Sequence, residues 1–306
     1  MTPRRWIATT LLFTLLLGAA VAVCNARADI YGLFRDTRGR RLPIYDSERR
    51  GKYLLSQHYV PENFDAILLG SSVTSTWDTG GIHAYRTYNE STDGGNITEM
   101  KLLAETVLRS PGLRLALLVV HPYMTDTHGL NADEMGSAEY WGALGSISLL
   151  RAYKLRFAVE SGRDDLVWDD RGGERKNDAP AGSGLSPLNP VLRRIIQSEG
   201  DVTIDPVALG EYRDLIATLR ARGVKLVAVV PPLYEGLLAP RRERFARYAS
   251  RLLALFAPGD LVIDFNGPEF AAFRADPANF RDGVHHSRRG AAEIVRAIDA
   301  RLRSWR

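Results

Sequence analysis

Cysteine is almost missing from this chain: Cys24 is the only one in 306 residues. An internal disulfide and a thiolate metal cage are therefore excluded. The six histidines form no cluster with ligand spacing, so neither a metal nor another cofactor is expected. A charge excess is missing as well. Residues 1–28 hold Arg4, Arg5 and Arg27 and no acid, and the other 37 basic residues face 36 acidic ones, so the body is close to neutral and no nucleic-acid partner is implied. No internal repeat or heptad pattern is visible. What is abundant is apolar side chain, 45% of the composition, enough for a full core in a chain of this length.

Charge is also absent from Trp6 to Val23, an apolar run of 18 residues that follows Arg4 and Arg5. Such a run is a membrane or secretion signal, its length lying between a signal-peptide core and a full span. Ala26-Arg27-Ala28 offers a cleavage site before Asp29. Retained, the segment makes a single-pass membrane protein with an extracytoplasmic, periplasmic domain; cleaved after Ala28, it leaves a secreted or periplasmic one. Val23 before Cys24 departs from the small residue that lipoprotein processing needs, so Cys24 belongs to the apolar segment. Three regions follow: 1–28 as signal anchor or signal peptide, 29–62 as an arginine-rich juxtamembrane connector packing loosely, and 63–306 as the main domain.

Within that domain, buried-strand candidates at Phe64–Leu69, Arg86–Asn89, Leu113–Val120, Val224–Val230 and Leu261–Asp264 alternate with helical patterns. Helices are expected from Ile97 to near Pro111, within 133–160 with Leu144, Ile147, Leu150 and Tyr153 on one stripe, from Asp205-Pro206 to Gly223, over 237–256, and over 288–303. Trp77, Ile82 and Tyr85 are spaced too irregularly to assign a helix. Residues 161–186 carry ten charged residues and five glycines, which predicts an exposed insertion or flexible loop. Apolar strands alternating with helices imply a three-layer α/β/α fold with a mostly parallel, flavodoxin-like sheet of about five strands. The loops after Leu69, Asn89, Val120 and Val230 should then meet at the carboxyl edge of the sheet, where such folds place their sites.

Two of the motifs carry chemistry. Leu69-Gly70-Ser71-Ser72 ends the first strand, where a glycine permits a sharp turn that lifts a serine to the sheet edge. Alone, it is a turn with a helix cap. Asp282-Gly283-Val284-His285-His286-Ser287 stands ahead of the last helix, and its spacing puts Asp282 one turn from His285, close enough to fix the imidazole tautomer. A histidine so oriented is the base that a weakly acidic serine hydroxyl needs. Alone, this pair would serve equally well to tie down a loop.

Together with the glycine-rich turn Asn89-Glu90-Ser91-Thr92-Asp93-Gly94-Gly95, these motifs resemble the SGNH, or GDSL-like, hydrolase superfamily over about 64–304. The resemblance implies Ser72 as nucleophile, Asp282 and His285 as acid and base, and the N–H groups of Ser72 and Gly94 as oxyanion donors. Gly290 matches a glycine three residues beyond the last block's serine. The third block departs from the pattern: His121-Pro122-Tyr123-Met124 stands where the family shows Gly-x-Asn-Asp, and Tyr123 or His121 is left to substitute for the asparagine. Losing one such donor costs about 3 to 4 kcal/mol of transition-state stabilisation. Gly-Ser-Ser in place of Gly-Asp-Ser, with the N-terminal segment, resembles a divergent bacterial envelope branch that includes acyl- and acetyltransferase-related proteins.

The implied activity is a serine esterase or O-acyltransferase working on ester-linked acyl groups, with acetyl the one expected, of an envelope or exported polysaccharide. Its partners would be an acylated carbohydrate or other ester, the membrane, and a membrane-bound acyl donor protein. The alternative is a tethered accessory protein that binds polysaccharide with little turnover, with Trp77, Tyr123, Tyr140 and Trp141 available to stack on sugar rings. Gly94-Gly95-Asn96 before a helix suggests a phosphate site, but neither Gly-x-Gly-x-x-Gly nor Gly-Lys-Ser is present, which excludes that reading.

Overall fold

The computed structural model describes residues 2–42, 46–165, 167–175, 182, 185 and 202–305. In chain order the elements are α1 (Pro3–Ala28), α2 (Glu48–Leu55), α3 (Tyr59–Asn63), β1 (Ala66–Leu69), α4 (Ser72–Ser75), β2 (Thr87–Asn89), α5 (Ile97–Val107), β3 (Leu115–Val119), α6 (Ser137–Gly142), α7 (Ile147–Glu160), α8 (Pro206–Ala221), β4 (Lys225–Val230), α9 (Glu235–Leu238), α10 (Arg242–Leu253), β5 (Leu261–Asp264), α11 (Ala271–Ala275) and α12 (Arg288–Ser304).

The five strands form one parallel sheet in the order β2-β1-β3-β4-β5, with Leu68 opposite Asn89 on one side and Leu117 on the other. This is the flavodoxin-like order. Every residue of β1, β2 and β3 is buried, and so is β4 after Lys225, as a sheet covered on both faces requires. At the far edge β5 is partly open, with Val262 exposed. The opposite edge is protected: the Asn89 N–H donates to the carbonyl of Arg171 at 2.7 Å.

That contact belongs to the charged segment 161–186, of which 166, 176–181, 183, 184 and 186 lie outside the described residues. The residues 168–174 are half-buried or buried, not exposed. Asp169 makes this possible by accepting from the N–H groups of Arg171 and Gly173, so a polar stretch folds into a tight turn against β2.

The stretch 29–62 also differs from a loose connector. Ile30, Tyr31, Leu33, Tyr53, Leu54, Leu55, Tyr59 and Val60 are all buried in the main core. Its charged residues mask this in the sequence, because they are themselves partnered: Arg50 pairs with Asp46, Glu134 and Glu139, and the fully buried Lys52 donates to the Ser91 carbonyl and lies 3.4 Å from Glu48.

α1 is a 26-residue helix, long and apolar enough to span a membrane, with mean hydropathy 2.3 over its best window and no buried residue. Helix capping follows the sequence signals: Asn96 caps α5, Asp205 caps α8, and Ser287 caps α12.

Candidate active site

β1 delivers the first group. After Leu69 the chain turns directly into α4, and Ser72 is its first residue. Gly70 is needed for closeness and not for a left-handed turn: a Cβ there would lie 2.1 Å from Thr74 Oγ1 and 2.9 Å from both Ser91 Oγ and Val119 Cγ2. Asn89, the last residue of β2, bolts the turn in place. Its Nδ2 donates to the carbonyls of Thr74 at 2.8 Å and Trp77 at 3.1 Å, while its Oδ1 accepts from the Ser91 N–H at 3.0 Å. Ser71 is fully buried behind the turn, and Ser72 is half-exposed.

The loop before α12 delivers the other two groups. Asp282 Oδ1 accepts from the N–H groups of Val284 and His285, at 2.9 and 2.8 Å, which folds the loop around the carboxylate. Its Oδ2 lies 2.8 Å from His285 Nδ1, and His285 Nε2 lies 3.0 Å from Ser72 Oγ. Burial alone would raise the Asp282 carboxyl, but the hydrogen bond and charge of His285, with the two N–H donors, hold it down at about 2. An ionised carboxylate on Nδ1 keeps the proton there and leaves the Nε2 lone pair facing the Ser72 hydroxyl. This arrangement can take a proton from Ser72 and return it. The sequence motifs at 70–72 and 282–285 thus meet across 213 positions.

His286, next to the candidate base, has a different task. Its Nδ1 accepts from Trp77 Nε1 at 3.3 Å, and since indole only donates, the ring proton sits on Nε2 and is given to the Pro232 carbonyl at 3.1 Å. Burial pushes its imidazole down to about 4. The neutral ring therefore ties the end of β4, the segment after α4 and the α12 loop together. Trp77 is accordingly a core residue, so it does not serve as a sugar-stacking platform.

The loop after β3 reaches the same region. His121 is buried and caps the turn Pro122–Met124 by accepting from the Tyr123 N–H at 3.3 Å, and its ring meets that of Tyr123 at 4.7 Å. Burial, with His285 and His286 nearby, pushes its imidazole down to about 3. The Tyr123 hydroxyl is pushed up by burial and by the charges of Asp282 and Asp126. Gly94 is exposed, has φ +64°, and lies two residues beyond Thr92, whose bridge to Ser71 carries the β2 loop alongside the serine turn. Gly290 is tightly placed, since a Cβ there would lie 2.1 Å from the Asn279 carbonyl oxygen.

Sequence reasoning missed the support beneath the β2 loop. Glu90 is fully buried; burial raises its carboxyl to about 7 against the opposing effects of the Ser56 hydroxyl at 2.8 Å and of Lys52. Glu99 accepts from Arg49 at 2.8 Å and from Thr92 Oγ1 at 3.1 Å. His286 also lines a cavity of about 430 Å³ whose other walls carry both signs of charge, among them Asp78, Asp169, Arg171 and Arg281. Among the described residues no group of three or more histidine, cysteine or acidic side chains could hold a metal ion.

No protein-family model matches the chain, and no curated protein matches it. Among solved structures, a protein provisionally named a platelet activating factor from Streptococcus pneumonia is similar at TM-score 0.45 and 10% identity, over 86% of this chain and 93% of that one. A catalytic mutant of an acetylxylan esterase from Geobacillus stearothermophilus is similar at TM-score 0.41 and 13% identity, over 78% and 93%. A gut microbial diltiazem-metabolizing enzyme is similar at TM-score 0.33 and 13% identity, over 78% and 46%.

Proposed function

We propose that the protein is a membrane-anchored, extracytoplasmic serine esterase or O-acyltransferase of the SGNH type, acting on ester-linked acyl groups of an envelope or exported polysaccharide. The observation that carries this reading is the file of groups Asp282, His285 and Ser72, with contacts of 2.8 and 3.0 Å. Ser72 Oγ attacks the acyl carbonyl carbon as its proton passes to His285 Nε2, and Asp282 stabilises the imidazolium. The negative oxygen of the tetrahedral intermediate is received by the N–H groups of Ser72 and Gly94, with the Tyr123 hydroxyl in the place of the family's asparagine. The C–O bond to the leaving alcohol breaks, that alcohol takes the proton from His285, and the acyl group stays on Ser72. Water or a sugar hydroxyl then gives its proton to His285 and attacks the acyl-enzyme; as the Ser72 ester bond breaks, the proton returns to Oγ. Water as the incoming group gives an esterase and a sugar hydroxyl gives a transferase.

The third-block sequence His121-Pro122-Tyr123-Met124 favours a second reading, in which the fold binds an acylated polymer with little turnover. The two are separated by acetate release from 4-nitrophenyl acetate and from an acetylated glycan, measured on the full-length chain in detergent. Release that drops by about 10³-fold or more in Ser72→Ala supports the enzyme. Equal release from both chains overturns it, and glycan retention without release supports the binding reading.

A further inference from the structure

The apolar stripe of α7 does not face the core. Leu149 and Ala152 are its buried positions, while Ile147, Leu150 and Phe157 turn outward and, with Trp141 of α6, are between 62% and 72% exposed. At 100° per residue, Ile147, Leu150 and Phe157 fall within one sector, and the exposed Arg151 and Lys154 share that side of the helix. Contiguous exposed aromatic and aliphatic side chains interleaved with cations are the composition of a helix lying in a membrane interface. Trp141 adds an amphipathic indole of the kind that settles at headgroup level.

The position of α1 supplies an independent argument. Asn25, near its end, donates through Nδ2 to the Leu144 carbonyl at 2.8 Å and accepts from the Tyr153 hydroxyl at 3.2 Å. Between the two helices runs a groove of about 600 Å³ lined by Leu17 and Val21 of α1 and by Leu149 and Leu150 of α7. The exposed face of α7 is thus continuous with the uncovered apolar surface of the helix that would span the bilayer.

We propose that α6 and α7 lie in the lipid interface beside α1, with Trp141, Ile147, Leu150 and Phe157 among the upper acyl chains and Arg151 and Lys154 at anionic headgroups. Because Leu149 and Ala152 are packed into the domain core, this seats the whole domain at a fixed height and orientation on the membrane. The inference requires α1 to be retained and does not depend on the acyl chemistry.

The test uses the full-length chain with Cys24→Ser, in nanodiscs of phosphatidylcholine and phosphatidylglycerol, with single spin labels at Leu150→Cys, Phe157→Cys, Leu16→Cys and Val262→Cys. Collision rates with oxygen report lipid, and those with a neutral nickel chelate report water. The expected result is that the labels at 150 and 157 follow the label at 16: severalfold less nickel access than at 262, and higher oxygen access. Labels at 150 and 157 that behave like the one at 262 overturn the proposal, while a lipid-exposed label at 16 leaves the anchor standing. Low access to both reagents overturns it in favour of a protein partner on this face, and a water-exposed label at 16 overturns the anchor and the proposal together.

Discussion

Ser72 and His285, 213 positions apart, place Oγ and Nε2 3.0 Å from each other. Neither residue is held by the other alone. Asn89 fixes the serine turn and Asp282 fixes the imidazole, so the contact is the meeting point of two separately built loops.

Asp282→Asn keeps an oxygen for the N–H groups of Val284 and His285 but favours the wrong imidazole tautomer. In a serine-histidine-aspartate site that exchange costs about 10⁴ in turnover. The expected outcome is an ester hydrolysis rate lower by that order with an unchanged far-UV spectrum. A loss below about tenfold would show that Asp282 only shapes the loop.

Asn89→Asp retains the acceptor for Ser91 and replaces the donor to the Thr74 and Trp77 carbonyls with an oxygen that repels them. Breaking a buried hydrogen-bond network this way costs about 1 to 3 kcal/mol or more. Displacing Ser72 by an ångström costs about a hundredfold in rate. Denaturant melts should show the first effect and acyl release the second, with KM less affected than kcat.

Gly70→Ala and Gly94→Ala should separate space from conformation. At Gly70 the new methyl meets Thr74, Ser91 and Val119, an overpacking cost of about 1 to 3 kcal/mol that also shifts the serine turn. At Gly94 the nearest atom to a new Cβ is Arg49 Nη2 at 3.9 Å, so only the left-handed φ opposes it, at about 1 kcal/mol. Hydrolysis should fall in the first variant and largely survive in the second, whose N–H is intact.

His286 makes the fold sensitive to acid. Its folded value of about 4 lies below the ordinary 6.5, so between these pH values the unfolded chain binds the proton and the folded chain does not. Stability from this group is complete above pH 6.5 and is lost as pH falls toward 4, by about 3 kcal/mol at about 1.4 kcal/mol per pH unit. Glu90, raised to about 7, works in the opposite direction, favouring the fold as pH falls from 7. The difference between wild type and His286→Gln, measured by denaturant melts from pH 7.5 to 4.5, removes the Glu90 contribution. It should shrink as pH falls.

The strands were legible because burial on both faces leaves unbroken apolar runs, and the sequence-based strand ranges overlap all five observed ones. The two halves of the candidate site are legible because Gly-Ser-Ser sits at the end of such a run and Asp-x-x-His ahead of a periodic helix. The burial of Tyr53, Leu54 and Leu55 is hidden in the sequence because it depends on tertiary pairing: Lys52 and Arg50 look solvated until Ser91, Glu134 and Glu139 are brought to them. Of the stripe Leu144, Ile147, Leu150 and Tyr153, the last three lie on α7 and Leu144 falls in the turn before it, and periodicity does not say which side faces the core. Asn89 gave no local sign of its role, since its partners at 74 and 77 are joined to it only by the pairing of β1 with β2.

Whether Ser72 is the nucleophile is tested most directly by covalent labelling of the full-length protein in detergent by a fluorophosphonate, followed by peptide mass analysis. One adduct is expected, on Ser72, lost in Ser72→Ala and strongly slowed in His285→Ala. A folded protein that stays unlabelled, or an adduct that persists in Ser72→Ala, would contradict it.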